Sequence, residues 1–161
     1  MIKEQVTFPH NKKILNLEYS DCDDFCSIPA SKTRQVYGVC LYDKKLVLVH
    51  NGKKDTWGLV GGTIEKSEKF EQTLFREIKE ESNMKVLEYW PIGYQYIVEE
   101  DNYQLRYACI VEPFGSFELD PAGTIDKIAL INPSHYKKYF DWQKIGDQII
   151  SRGLEIIYSQ R

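Results

Sequence analysis

The chain changes its hydrophobic period between Val60 and Phe70, and that change restricts its fold more than any other feature. Up to Val60 the apolar residues come in short extended runs. Beyond Gly61-Gly62, the residues Phe70, Leu74, Phe75 and Ile78 recur at helical spacing. A strand must end at the glycine pair, and a helix must bury one stripe against the sheet which that strand joins. The spacing predicts a helix over residues 67–82, with Ser67 as N-cap and Glu68 in the first turn, where a carboxylate suits the helix dipole.

The flanking segments read mostly as strands. EQVTF and KILNLEY alternate on either side of the turn-like Pro9-His10-Asn11, as two strands or a loose hairpin, and the polar SDCDDFCSIPASKT after them reads as a loop. QVYGVCLY and KLVLVH surround Asp43-Lys44-Lys45 as a strand pair. Residues 86–98 and 104–112 form a second hairpin around a polar turn at 99–103. PFGSFELDPAG has the content of a surface loop, residues 125–131 are a further strand, and Pro133 opens a short helix reaching about Tyr139. Residues 143–158 form an amphipathic helix with Ile145, Ile149, Ile150, Leu154 and Ile157 on its apolar side. Strands outnumber helices, so the expected class is α+β, a mixed β-sheet carrying helices on its faces.

A length of 161 residues suits one domain with a real core. The net charge of −3 and the scattering of lysines in pairs argue against a duplex nucleic acid partner, which is held through many basic contacts to phosphate. No apolar run approaches the ~18 residues that span a bilayer, and MIKEQVTFPHNKK lacks the apolar centre of a signal peptide, so no membrane partner and a cytoplasmic location are expected. Of the four cysteines only Cys22 and Cys26 lie close in sequence, with no second pair to complete a zinc site, and reduced thiols are expected.

Residues 62–84 read GTIEKSEKFEQTLFREIKEESNM, with Gly62, Glu68, Arg76, Glu77, Ile78, Glu80, Glu81 and Met84 at fixed intervals. This resembles the Nudix box, G-x5-E-x7-R-E-U-x-E-E-x-G-U with U aliphatic. Asn83 stands where the family has Gly, a mild departure because Asn tolerates the left-handed region expected just past a helix end. The preceding Trp57-Gly58-Leu59-Val60-Gly61 is similar to the family's lead-in, except that Val60 stands where Pro is common. Physics points the same way. On a helix Glu77, Glu80 and Glu81 fall within an arc of about 100° beside the apolar stripe, and like charges so placed are unfavourable unless a cation or a basic group offsets them.

The resemblance implies a Nudix-type α/β/α sandwich over residues 34–161, and Mg²⁺- or Mn²⁺-dependent hydrolysis of a pyrophosphate bond in a nucleoside diphosphate linked to another moiety. Glu77, Glu80, Glu81 and the Gly61 carbonyl become the expected metal ligands. Glu77, Arg76 and Glu81 become the catalytic set, with Arg76 orienting the glutamates. Gly62, Glu68 and Trp57 are expected on the substrate side; Glu68 either buttresses the loop or is a plain helix N-terminal acid. The general base stays open among Glu77, Glu118, Asp120 and Asp126. Trp57, Tyr94, Tyr96, Tyr103 and Tyr107 either stack on a nucleobase or, the favoured reading, pack across strands. The expected partner is a small nucleotide-type molecule. Residues 1–33 resemble the added strands that some members use for substrate coverage or homodimer contacts. A reading of another class is a catalytically silent module that binds a nucleotide or ADP-ribose-like ligand; the intact carboxylate set argues against it.

Overall fold

Alternation along a strand sends neighbouring side chains to opposite faces, and this sheet is covered on both. The structure is a computed structural model describing residues 1–8, 11–118 and 120–160. Nine strands are formed among these residues: β1 (Ile2–Thr7), β2 (Ile14–Asp21), β3 (Thr33–Tyr42), β4 (Lys45–Asn51), β5 (Thr56–Gly58), β6 (Val60–Thr63), β7 (Met84–Ile97), β8 (Asn102–Pro113) and β9 (Ile125–Ile131). They run in the order β1-β2-β7-β8-β3-β4-β5, with β6 also pairing β3 and β9 pairing β4. Two α-helices, α1 (Phe70–Ser82) and α2 (Gln143–Ser159), cover opposite faces. On β4, Leu46 and Leu48 pack with Ile145, Ile149, Ile150 and Ile157 of α2, whereas Val47 and Val49 pack with Leu74 and Ile78 of α1. On β3, Val39 and Leu41 face α2 while Val36 and Cys40 face α1. The result is the expected α/β/α sandwich with a mixed sheet.

Pairing departs from the expected hairpins. β3 and β4 touch only at Leu41↔Leu46 and Tyr42↔Lys45. Most of β3 lies parallel to β8, from Thr33↔Tyr103 to Leu41↔Ile110, and antiparallel to β6 on its other side. The expected β7–β8 hairpin is present and longer than predicted, from Met84↔Pro113 to Ile97↔Asn102. WGLV divides into two strands around Leu59, one on β4 and one on β3. Pro133 does open a helical turn, but residues Pro133–Lys138 are 3-10, with the Asn132 side chain accepting from the Ser134 N–H.

The predicted start of α1 is corrected. Ser67 has φ 70°, the left-handed region, and the helix begins at Phe70 with Lys69 as N-cap residue. The Gln72 side chain accepts from the Lys69 N–H at 2.8 Å, in place of a serine cap. Glu68 is thereby placed before the helix and not in its first turn.

The N-terminal strands are built into the sheet. β1 pairs β2 from Ile2↔Tyr19 to Thr7↔Ile14, and β2 extends the sheet beyond β7 through Leu17↔Ile97 to Asp21↔Gly93. Of the turn expected at Pro9-His10-Asn11, Pro9 and His10 lie outside the described residues. Leu15 and Tyr19 are buried, and Glu4 Oε1 accepts from the Ile145 N–H at 2.6 Å, serving the first turn of α2 where Trp142 offers no capping side chain. The four cysteines are free, and no helix among the described residues is long and apolar enough to cross a membrane.

Candidate active site

β6 ends in Gly61-Gly62-Thr63, and α1 packs against it. Side chains at both glycines are excluded by contact: a Cβ on Gly61 would stand 2.6 Å from Tyr37 Cα, and one on Gly62 would stand 2.5–2.7 Å from the Glu77 carboxylate. The absence of side chains lets β6 backbone and Glu77 meet directly. Glu81, only 9% exposed, accepts the Gly61 N–H at 2.9 Å. Burial pushes its carboxyl up to about 8 against the pull of that N–H, and the charges of Glu77, Asp120 and Glu80 add to the rise. Glu77 is raised as well, first by burial, with Arg76 opposing and Glu80 and Asp120 reinforcing.

Arg76 organises the rest. Its Nε and Nη2 grip Glu68 at 2.7 and 2.9 Å, its Nη1 donates to Glu77 at 2.8 Å and Glu80 at 3.2 Å, and its Nη2 also reaches the Thr63 carbonyl at 3.0 Å. The two-pronged arginine–carboxylate geometry fixes direction as well as charge. Glu68 also accepts from the Glu65 N–H and the Thr73 hydroxyl, and Arg76 first of all holds its carboxyl down at about 2. Of the two readings of Glu68, the geometry is that of the loop buttress. The same bonds explain why Ser67 does not cap: they tie the loop to α1 one turn further on. At the other end Asn83 has φ 54°, as its place in the motif requires, and its side chain holds the Ser116 carbonyl at 2.8 Å.

The fold thus brings together Gly61, Gly62, Glu68, Arg76, Glu77, Glu80 and Glu81. Asp120 joins them from the β8–β9 loop: it is buried, its carboxylate accepts from the Ala122 N–H, and its charge bears on both Glu77 and Glu81. Of the other candidate bases, Glu118 is exposed and Asp126 is bound to His50. Among the described residues no three His, Cys, Asp or Glu side chains converge as a finished metal cage, because Glu77 and Glu80 turn to Arg76 and Glu81 to Gly61. The set nevertheless fits a hard cation: its donors are all oxygen, and Glu65, Glu68, Glu77 and Glu80 surround the single guanidinium of Arg76, with the charges of Glu81 and Asp120 bearing on the same cluster.

Trp57 packs on the α2 side of the sheet, with ring centres 5.0 Å from His50 and 5.2 Å from Tyr139. Tyr96 and Tyr103 are direct cross-strand partners at 4.7 Å, Tyr94 lies edge-on to Tyr103, and Tyr107 is buried, so these four pack within the protein.

His50 is a polar site that composition did not disclose. Its Nδ1 lies 2.7 Å from Asp126 and its Nε2 2.8 Å from Asp55, so a protonated ring donates to both. The bond to Asp126, then that to Asp55, raises its pKa, with burial and Lys127 opposing. A raised folded-state value means a stabilisation fully present below the unfolded value of about 6.5, and lost as pH rises through the folded value. The melting-temperature gap between wild type and His50→Gln is therefore expected to be widest near pH 6 and to narrow toward pH 9. A gap that widens with pH would contradict the ion-paired ring.

A mixed sheet between two helices, with a strand-end glycine pair facing an arginine-anchored row of glutamates, defines an enzyme of the Nudix hydrolase class. The chain belongs to the NUDIX domain family, whose model matches residues 32–150. Solved structures share the fold. The pyrophosphohydrolase BsRppH of Bacillus subtilis superposes with a TM-score of 0.70 at 17% identity, covering 95% of this chain and 96% of that one. A NUDIX hydrolase from Nitrosomonas europaea gives 0.56 at 17% identity over 80% and 90% of the two chains, and an ADP-ribose pyrophosphatase from Streptococcus suis gives 0.52 at 13% over 79% and 90%. No curated protein sequence matches the chain.

Proposed function

We propose that this protein hydrolyses the pyrophosphate bond of a nucleoside diphosphate linked to another moiety, with Mg²⁺ or Mn²⁺ as cofactor. The observation that carries the reading is the pair of contacts joining helix to strand end, Glu81 on the Gly61 N–H and Glu77 against Gly62. Glu77, Glu80, Glu81 and the Gly61 carbonyl would hold the cation, which when bound neutralises phosphate charge and lowers the pKa of the attacking water. Arg76 acts through Glu77 and Glu80 by fixing their orientation, and Glu68 fixes Arg76. Gly62 lets the Glu77 carboxylate lie against the strand end, whereas Trp57 packs between His50 and Tyr139 on the face of the sheet opposite α1 and is given no part in the reaction. Glu77 and Asp120 are the two acids within reach to accept the proton of the attacking water. Residues 1–33 form an extension of the 34–161 domain that works within its own chain by widening the sheet. The likeness to a pyrophosphohydrolase and to an ADP-ribose pyrophosphatase supports the reaction class.

The test is a phosphate-release screen over nucleotide sugars, dinucleoside polyphosphates, ADP-ribose and nucleoside triphosphates, with and without Mg²⁺. Metal-dependent turnover of at least one group is expected, and silence on all of them would favour the binding-module reading. Cation binding is also expected to stabilise the fold. At a free metal concentration about 100 times the dissociation constant, linkage gives about 2.7 kcal/mol, or roughly 5–10 °C for a domain of this size. The triple variant Glu77→Gln, Glu80→Gln, Glu81→Gln should lose that shift. An equal shift in both proteins would put the metal elsewhere.

A further inference from the structure

On the α2 face of the sheet, two adjacent cross-strand rows start at β6. One runs Gly61, Tyr37, Arg106, Gly93, and the other Thr63, Gln35, Gln104, Gln95. Arg106 is 4% exposed, lies 4.9 Å from the Tyr37 ring centre, and makes no ion pair among the described residues. Its Nη2 donates to Gln104 Oε1 at 3.1 Å and its Nη1 weakly to the Leu105 carbonyl at 3.4 Å, while its buried Nε has no partner. A buried cation without a carboxylate and with an idle donor is costly for a fold to keep. Gln35, Tyr37 and Gln104 are half-buried and form the rim above it.

Counting bonds shows what is open. Gln35 Oε1 already accepts from Gln104 at 2.6 Å and from the Tyr37 hydroxyl at 3.2 Å, and Gln104 Oε1 accepts from Gln95 at 3.3 Å as well as from Arg106. Among the described residues, the groups idle toward other protein groups are the donors Arg106 Nε–H and Gln35 Nε2, the acceptor Gln95 Oε1, and beside Gly93 the buried Tyr19 hydroxyl, which can donate or accept. The complementary partner offers carbonyl oxygens beside one N–H. A phosphate offers acceptors alone and more charge than one guanidinium among amide oxygens can match. Adenine offers an amino group where a carbonyl is wanted.

We propose that this strip binds the base of the substrate and selects a keto–imide base, namely guanine, hypoxanthine or uracil. The assignment rests on the nucleotide reading above, and deepens it. Tyr37 links the two regions, since it pairs with Gly61, whose N–H holds Glu81, and its ring lies against Arg106.

The test is calorimetric titration of the full chain, in chelator, with GMP, UMP, AMP and inorganic phosphate. GMP and UMP are expected to bind at least about tenfold more tightly than AMP, as for one well-made base contact, with no phosphate binding at the strip. Gln104→Glu places the missing carboxylate beside Arg106 at nearly constant shape. It is expected to hold or raise the melting temperature and to erase the preference. Gln95→Leu, which removes the acceptor for the imide together with the 3.3 Å donation to Gln104, should reduce GMP and UMP binding and spare AMP, and serves if the first variant misfolds. Equal affinity for the three nucleotides overturns the proposal, as does phosphate binding that Gln104→Glu abolishes, or a preference that both variants keep. Base selection without any turnover would sink the hydrolase reading and leave the strip, whereas turnover without base selection would do the reverse.

Discussion

Replacing Glu81 by Gln is expected to lower turnover by about a hundredfold or more while the protein stays folded. The amide carbonyl can still accept the Gly61 N–H, so the contact between α1 and β6 survives. What is lost is a negative charge that the proposed reaction needs. Removal of an outer partner of a metal ligand already costs about 10–100-fold in affinity or activity, so loss of the ligand should cost at least the upper end of that range. In chelator near pH 7 the variant should melt no lower than wild type, because the Glu81 carboxyl, raised to about 8 by burial, is already mostly neutral there and the amide keeps the bond to Gly61. Glu77→Gln should behave alike in turnover, although its bond to Arg76 is weakened. Near-normal rates in both variants would remove these residues from the metal site, and loss of rate accompanied by unfolding would make Glu81 a structural residue.

Deletion of residues 1–20 is expected to abolish cooperative folding. It removes β1 and nearly all of β2, including the buried Leu15 and Tyr19, and exposes the β7 edge from Gly93 to Ile97. Losing even one buried Leu-sized side chain costs about 2–5 kcal/mol, against a total stability of about 5–15 kcal/mol for a domain. Removal of Glu4 also leaves the first turn of α2 without its acceptor, and Glu4→Ala alone should cost about 1 kcal/mol, as loss of an N-cap does. The measurement is thermal unfolding followed by circular dichroism. A cooperative transition within a few degrees of the full chain would show that these strands are an appendage.

How much of this was legible beforehand follows from the range of each interaction. The acidic row on α1 was readable because residues on one helix have their relative directions fixed by its pitch, and the left-handed Asn83 was readable because helix ends are local. Individual strands were visible for the same reason, since alternation needs only the neighbouring residues. The start of α1 was not, because Ser67 is overruled by Arg76 gripping Glu68 from the second turn of the helix. Asp120 was one acid among several until the β8–β9 loop carried it to Glu77 and Glu81. Arg106 left a faint trace, a lone charge within the apolar run LRYACIV, but its significance depends on three strands supplying Tyr37, Gln104 and Gln95 around it. By itself the sequence determined the elements, the α+β class and the catalytic-type helix, because backbone periodicity is a local property. Only the tertiary structure decided that β3 lies parallel to β8, that the N-terminal strands complete the sheet and that a buried arginine has no acid beside it among the described residues, because partner choice and burial depend on residues far apart in the chain.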